Sequence, residues 1–250
     1  MQVLDQESIA GERFERSFEV VAKAIEKQIL DRTFLPGHVL PTEAALAAKF
    51  GVHRSTLREA LRYLEQNGLV HREKGRRKLK VGRGDDAPDA LRPIVSALVV
   101  SEATFEDLYE AMRAVEPALA GKAAKCASSD VIKELEENVE RTRLALNDKA
   151  SLTALDIEFH DLVAKASSNR VLDLTRRPLS LLFYPAFYPI MSRLNAAERL
   201  IIAHEHIVAH IRAGEETGAR EWMERHIDDF QRGYQLAGLD MAQPITAQPR

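Results

Sequence analysis

The stretch that decides the fold is Leu40–Val81, LPTEAALAAKFGVHRSTLREALRYLEQNGLVHREKGRRKLKV. Two short helical patterns, Thr42–Phe50 and Arg54–Asn67, flank Gly51-Val52-His53. A helix, a glycine-containing turn and a second helix of this size form a helix-turn-helix, whose second helix enters the major groove of DNA. Arg54, Ser55, Thr56 and Arg58 occupy the start of that second helix, where side chains reach base edges and phosphates. Behind them Leu57, Ala60, Leu61 and Leu64 recur at helical spacing and predict a core-facing stripe. Gly68 can close the helix in a left-handed conformation. Leu69-Val70 reads as a short strand, and Val81 resumes an apolar pattern after a cationic run. That run holds Arg72, Lys74, Arg76, Arg77, Lys78 and Lys80 against the single acid Glu73, as in a hairpin wing. Gly51–Val81 carries nine Lys/Arg and three Asp/Glu, a net of +6 in a chain of net −3. Such asymmetry is an electrostatic footprint for phosphate.

Working outward, Gly82–Asp89 is rich in Gly, Asp and Pro and reads as a linker. Residues 1–81 hold 15 basic and 11 acidic residues, and the remainder holds 20 and 27, a net of −7. A basic reader is therefore joined to an acidic body that DNA would repel. From residue 90 onward apolar stripes of helical period run near 91–100, 104–126, 129–146, 151–166, 170–182, 195–213 and 216–236. The expected fold is mainly α: a winged helix-turn-helix over 1–81, a linker over 82–91, an antiparallel all-helical bundle over 92–236 and a tail over 237–250.

Composition agrees. At 250 residues, 45% apolar and 29% charged, two ordinary domains have material for their cores. The single Cys126 excludes an internal disulfide framework and suits a reducing cytoplasm. Met1–Glu15, with four acids, does not read as a signal peptide. The apolar runs Val95–Val100 and Leu179–Met191, interrupted by Ser and Pro, are not expected to span a bilayer.

The bundle carries a second constellation. Asp156 and His160 lie four apart on one helix, and His204 and His226 lie on two later ones. Three imidazoles and a carboxylate suit a divalent metal: zinc first, nickel or manganese also. Helical phase selects these histidines. His204 falls near the centre of the arc Leu200, Ala203, Ile207, Val208 and Ile211; His206 and His210 fall at or beyond its edge. His226 lies within the arc of Ala219, Trp222, Met223, Ile227 and Phe230. Asp156 and His160 lie along the border of the arc of Leu152, Leu155, Phe159, Leu162, Val163 and Ala166. Phase alone leaves two readings open, hydrogen-bonded core residues or ligands of one ion.

The run Leu35-Pro36-Gly37, Leu40-Pro41-Thr42-Glu43, Phe50-Gly51-Val52-x-Arg54-x-Thr56-x-Arg58-Glu59-Ala60-Leu61 and Gly68-Leu69-Val70 resembles the winged helix-turn-helix of GntR-type bacterial regulators. Two positions depart from that pattern. His53 stands where the family has Ser or Thr, so either it touches DNA itself or the helix starts less firmly. The wing, Gly75-Arg76-Arg77-Lys78-Leu79, lacks the common second Gly. Asp156–His160, Ala166–Asn169, His204 and Met223-x-x-His226 resemble the FCD domain of FadR-type members, with Glu215 where Asp is more usual. Leu108–Ala124, with Arg113 and Glu116, resembles that domain's R-x-x-E helix.

The resemblance implies a homodimer on a short palindromic operator of double-stranded DNA, with DNA contacts from His53, Arg54, Ser55, Thr56, Arg58, Lys74, Gly75, Arg76 and Arg77. It also implies one divalent ion per chain on Asp156, His160, His204 and His226. A small carboxylate-bearing metabolite would bind there with help from Arg113 and Asn169. A bacterial, cytoplasmic repressor follows as the expectation. A structural ion pair of Arg113 with Glu110 or Glu116 is the plainer reading of that arginine. Phe183–Pro189 reads as core or dimer packing or as a ligand box. Two rival functions are a metal-dependent hydrolytic enzyme, disfavoured by the lack of a clear acid–base pair, and a regulator for which the ion itself is the signal.

Overall fold

The computed structural model describes residues 17–72, 78–82, 88–187 and 196–245. They fall into two compact units that divide between Ala90 and Leu91.

In the first unit, helix α1 is Ser17–Leu30, α2 is Glu43–Phe50 and α3 is Arg54–Gln66. Thr42 caps α2, its Oγ1 accepting from the Ala45 N–H at 3.2 Å. Gly51 ends α2 with φ +64°, a conformation that costs glycine little. α3 starts on His53, whose side chain makes no capping bond. Gly68, at φ +71°, turns the chain so that the Leu69 N–H reaches the Leu64 carbonyl at 3.0 Å. Strands β1, Val70–Arg72, and β2, Leu79–Val81, pair antiparallel with Val70 opposite Val81 and Arg72 opposite Leu79. Residues 37–40 lie along the free edge of β2, with Gly37 N–H to Val81 O and Leu40 N–H to Leu79 O, both 2.9 Å. Gly82 is required by close approach, since a Cβ there would lie 2.6 Å from the Gly68 carbonyl oxygen. Leu57, Ala60, Leu61 and Leu64 are buried against Val21, Ile25, Leu46, Val70 and Val81, as the spacing predicts.

Seven further α-helices follow among the described residues, all but the first three residues of α4 in the second unit: α4, Pro88–Val100; α5, Phe105–Cys126; α6, Ser129–Leu144; α7, Lys149–Ala166; α8, Arg170–Phe183; α9, Ala196–Ala213; and α10, Glu216–Leu236. A 3₁₀ turn, Tyr184–Phe187, follows α8. Helix α4 begins at Pro88, so it takes up the last residues of the stretch expected to be linker. Side-chain caps fix several starts: Thr104 with Asp107 in a reciprocal capping box on α5, Ser128 on α6 and Asp148 on α7. α5 is the central helix, packed against α7, α8, α9 and α10. Phe105, Met112, Leu119, Phe159, Val163, Phe183, Ile207 and Met223 form the heart of the core. Part of the expected tail folds back on this unit. The Met241 and Gln243 carbonyls accept from the Glu106 and Phe105 N–H groups at the start of α5, and Ile245 N–H reaches the Ala103 carbonyl at 2.8 Å. These bonds occupy donors that a helix start leaves without internal partners.

Candidate functional site

Helices α7, α9 and α10 bring Asp156, His160, His204 and His226 together in the bundle interior. One ligand atom from each lies within 4.8 Å of all the others. His226 Nε2 is 3.2 Å from His160 Nε2 and 3.3 Å from His204 Nε2. Asp156 Oδ1 is 3.2, 3.6 and 3.8 Å from the Nε2 atoms of His204, His226 and His160. All four side chains are buried. The expectation that Asp156 and His160 lie along the border of their helix's apolar arc is thus modified. Both are enclosed, because α5 and the turn after α8 cover that border through Glu116 and Tyr184.

The donor set fits a divalent ion. Asp156 Oδ1 is buried without a hydrogen-bond partner among the described residues, although three imidazole nitrogens lie close by. Nitrogen and oxygen lone pairs crowded together in a dry interior are costly, and an ion at their centre would remove that cost. Four ligands about 2.1 Å from one ion would lie roughly 3.0–3.6 Å apart, close to the separations seen. Burial is the largest influence on the Asp156 carboxyl and works to raise its pKa. The His204, His226 and His160 imidazoles outweigh it and hold the group ionised, well below the usual carboxylate range. Burial pushes the His204 imidazole down to about 3, so it is neutral and can offer a lone pair.

Around the cluster lies a polar shell that sequence reasoning missed in part. Glu116 Oε2 is 3.0 Å from His160 Nδ1, with both side chains fully buried. Glu116 Oε1 accepts from Tyr184 Oη at 3.1 Å and faces Arg176 Nη1 at 3.5 Å. Burial works to raise the pKa of Glu116, but His160, Arg176 and Tyr184 together hold it low. Arg176, fully buried, also pairs with Asp161. Its signal in the sequence was phase: it lies four residues after Leu172 and three before Leu179, on the face that packs inward.

The other expected bundle residues lie elsewhere. Arg113 is exposed, and its Nε donates to Asp228 Oδ1 at 2.8 Å, an ion pair with another helix rather than with Glu110 or Glu116. Asn169 caps α8, accepting from the Val171 and Leu172 N–H groups. Among their described contacts, neither touches the cluster. His206 is exposed and stacked on Trp222 at 3.8 Å, and His210 pairs with Glu215. Phe183 and Tyr184 of the aromatic segment are core residues, whereas Tyr188 and Pro189 lie outside the described residues.

In the reader, His53, Arg54, Ser55 and Arg58 are exposed at the start of α3, and Thr56 is half-buried. Arg58 is not idle: its Nε donates to Glu43 Oε2 at 2.8 Å, and Arg72 lies 3.7 Å from the same carboxylate. Lys74, Gly75, Arg76 and Arg77 lie outside the described residues.

A winged helix-turn-helix joined to a helical unit with a buried polar centre points to a DNA-binding transcription regulator. Residues 18–78 match the family model of bacterial regulatory proteins, gntR family, and residues 107–229 match that of the FCD domain. The first unit is thus a gntR-family DNA-binding domain, and the second contains an FCD domain. The chain is 28% identical over 183 residues to the Glc operon transcriptional activator of Escherichia coli (strain K12), covering 70% of each chain. It is 28% identical over 219 residues to the HTH-type transcriptional regulator LutR of Bacillus subtilis (strain 168), covering 80% of this chain and 94% of that one. The solved structure of Streptococcus agalactiae GntR is similar with a TM-score of 0.62 and 26% identity, covering 86% of this chain and 99% of the other. Among the described residues no helix is long and apolar enough to cross a membrane.

Proposed function

We propose that the chain is a homodimeric repressor whose grip on a short palindromic operator is controlled by a small carboxylate-bearing metabolite. The metabolite docks at a divalent ion held by Asp156, His160, His204 and His226, with zinc the first candidate and nickel or manganese next. The observation that carries this reading is the convergence of three imidazole nitrogens and a carboxylate oxygen that has no hydrogen-bond partner. The ion would supply Lewis-acidic positions for an incoming carboxylate. The protein's own part is to hold four donors in a dry interior, with Asp156 ionised and His204 neutral. The reader's part is Arg54 and Arg58 at the start of α3, with His53, Ser55 and Thr56 beside them and the basic wing on the phosphates. Control requires that the acid bind the DNA-competent and DNA-free arrangements with different affinity.

A two-part experiment tests this. Operators are first selected from a random duplex pool. DNA affinity of the metal-loaded protein is then measured across a panel of small organic acids found by thermal shift. The reading expects one chemical class of acid to raise the melting midpoint and change operator affinity together. Operator affinity that follows the metal with no acid present would make the ion itself the signal. A reporter fused to the operator reads the sign of regulation, and activation by the unliganded protein would contradict repression.

A further inference from the structure

Among the described residues, His160 carries a buried carboxylate on its second ring nitrogen, Glu116, whereas His204 does not. His204 Nδ1 is buried with no hydrogen-bond partner among the described residues. His160 Nδ1 faces Glu116 Oε2 at 3.0 Å inside a region without exposure. That carboxylate is itself held on three sides, by His160, by Tyr184 Oη at 3.1 Å and by Arg176 Nη1 at 3.5 Å. α8 thus delivers a buried cation and the following turn a buried hydroxyl, both to one residue of α5.

We propose that Glu116 is a positioning residue for metal binding. It fixes His160 as the tautomer with its proton on Nδ1, so that Nε2 presents its lone pair to the ion, and Arg176 and Tyr184 hold the Glu116 carboxyl in place for that task. This rests on the reading of the cluster as a metal centre. The physical basis is general. A carboxylate behind a ligating imidazole fixes the ring, selects the tautomer and makes the ligand more basic. A carboxylate in a dry interior keeps its charge only when a countercharge and hydrogen bonds hold it. Arg176 meets that need, and its own charge is shared with Asp161 on α7. A merely structural ion pair between α5 and α8 would not need the imidazole on the other carboxylate oxygen.

The test uses the full chain, stripped by chelation and titrated with cobalt(II), comparing wild type with Glu116→Gln and with Glu116→Gln/Arg176→Met. Removing one partner of a buried ion pair leaves an uncompensated charge, so the single variant can fail to fold; the double variant removes both charges together. Cobalt affinity and the visible absorption band report the ligand field, and long-range nitrogen–proton NMR on the metal-free protein reports the His160 tautomer. The expected result is a double variant that melts near wild type, binds cobalt about 10–100-fold more weakly, and loses the single Nδ1-protonated pattern at His160. A double variant with wild-type cobalt affinity and an unchanged tautomer would overturn the role of Glu116 while leaving the metal centre standing. Wild-type protein that takes up no cobalt would overturn the metal centre and this inference with it.

Discussion

The two units place their polar chemistry in opposite places. In the reader, every buried residue among those described is apolar, and Arg54, Ser55 and Arg58 stand outside that core. Among the described residues of the helical unit, ten buried ones are polar or charged, and they include Glu116, Asp156, His160, Arg176, His204 and His226. A partner as large and as charged as DNA can be met only at a surface, where each contact exchanges water for phosphate or base. A small ligand or ion can be enclosed, and enclosure strengthens each electrostatic contact while leaving any unpaired group costly. The reader can therefore lose a contact residue and keep its fold. The bundle cannot lose one partner of a buried charged pair without disturbing both binding and stability.

The largest effect that tests this contrast is in the reader's core. Leu64→Ala, at a fully buried position of α3, is expected to destabilise the first unit by about 2–5 kcal/mol. Calorimetry should show one transition falling while the metal content of the second unit is unchanged. A matching loss of metal would show that the units are not separate in the way described. Next is Arg54→Ala, expected to remove sequence-selective binding at a cost of about 1–3 kcal/mol per base contact, with both melting transitions preserved. Anisotropy on the selected operator checks this, and wild-type affinity would reassign the recognition edge.

A pH series on chelated protein should separate the units again. Folded His204 takes a proton only near pH 3, whereas the unfolded chain takes it near 6.5. Between those values the unfolded state holds more protons, so stability is complete above about 6.5 and falls as pH drops toward 3. Chemical denaturation should show the bundle's midpoint falling through this window more steeply than the reader's, because the reader has no buried titratable side chain among the described residues. Equal slopes would count against the contrast. The smallest effect belongs to Glu43→Gln, which frees Arg58 from its surface pair. A few-fold gain in affinity for random-sequence duplex at low salt is expected, fading as salt screens the exposed charges. No change at any salt would mean that Glu43 does not restrain Arg58.

The reader was legible because its determinants are local. Gly51, Gly68 and the stripe Leu57, Ala60, Leu61, Leu64 each act within a few residues of where they stand. The candidate ligands were legible in part for a similar reason, since helical phase is local information: it set His204 and His226 within their arcs and His206 and His210 at or beyond the edge, but left Asp156 and His160 on a border. What surrounds them was not. Glu116 and Arg176 are 60 residues apart, and a phase that turns Arg176 inward does not show which acid it meets there. The resemblance drew attention to Arg113, on the same helix as Glu116, but its phase turns it outward to Asp228. The return of residues 240–245 onto the start of α5 depends on backbone hydrogen bonds, which leave little trace in side-chain pattern.

In the proposed reading the bundle's buried centre is a metal site built from Asp156, His160, His204 and His226. Elemental analysis of purified wild type and the variants His204→Ala, His226→Ala, His206→Ala and His210→Ala tests it most directly. About one divalent ion per chain is expected in wild type and in the His206 and His210 variants, and a sharp loss in the other two, each of which leaves a gap among the ligands. Metal retained by His204→Ala but lost from His206→Ala or His210→Ala would contradict it.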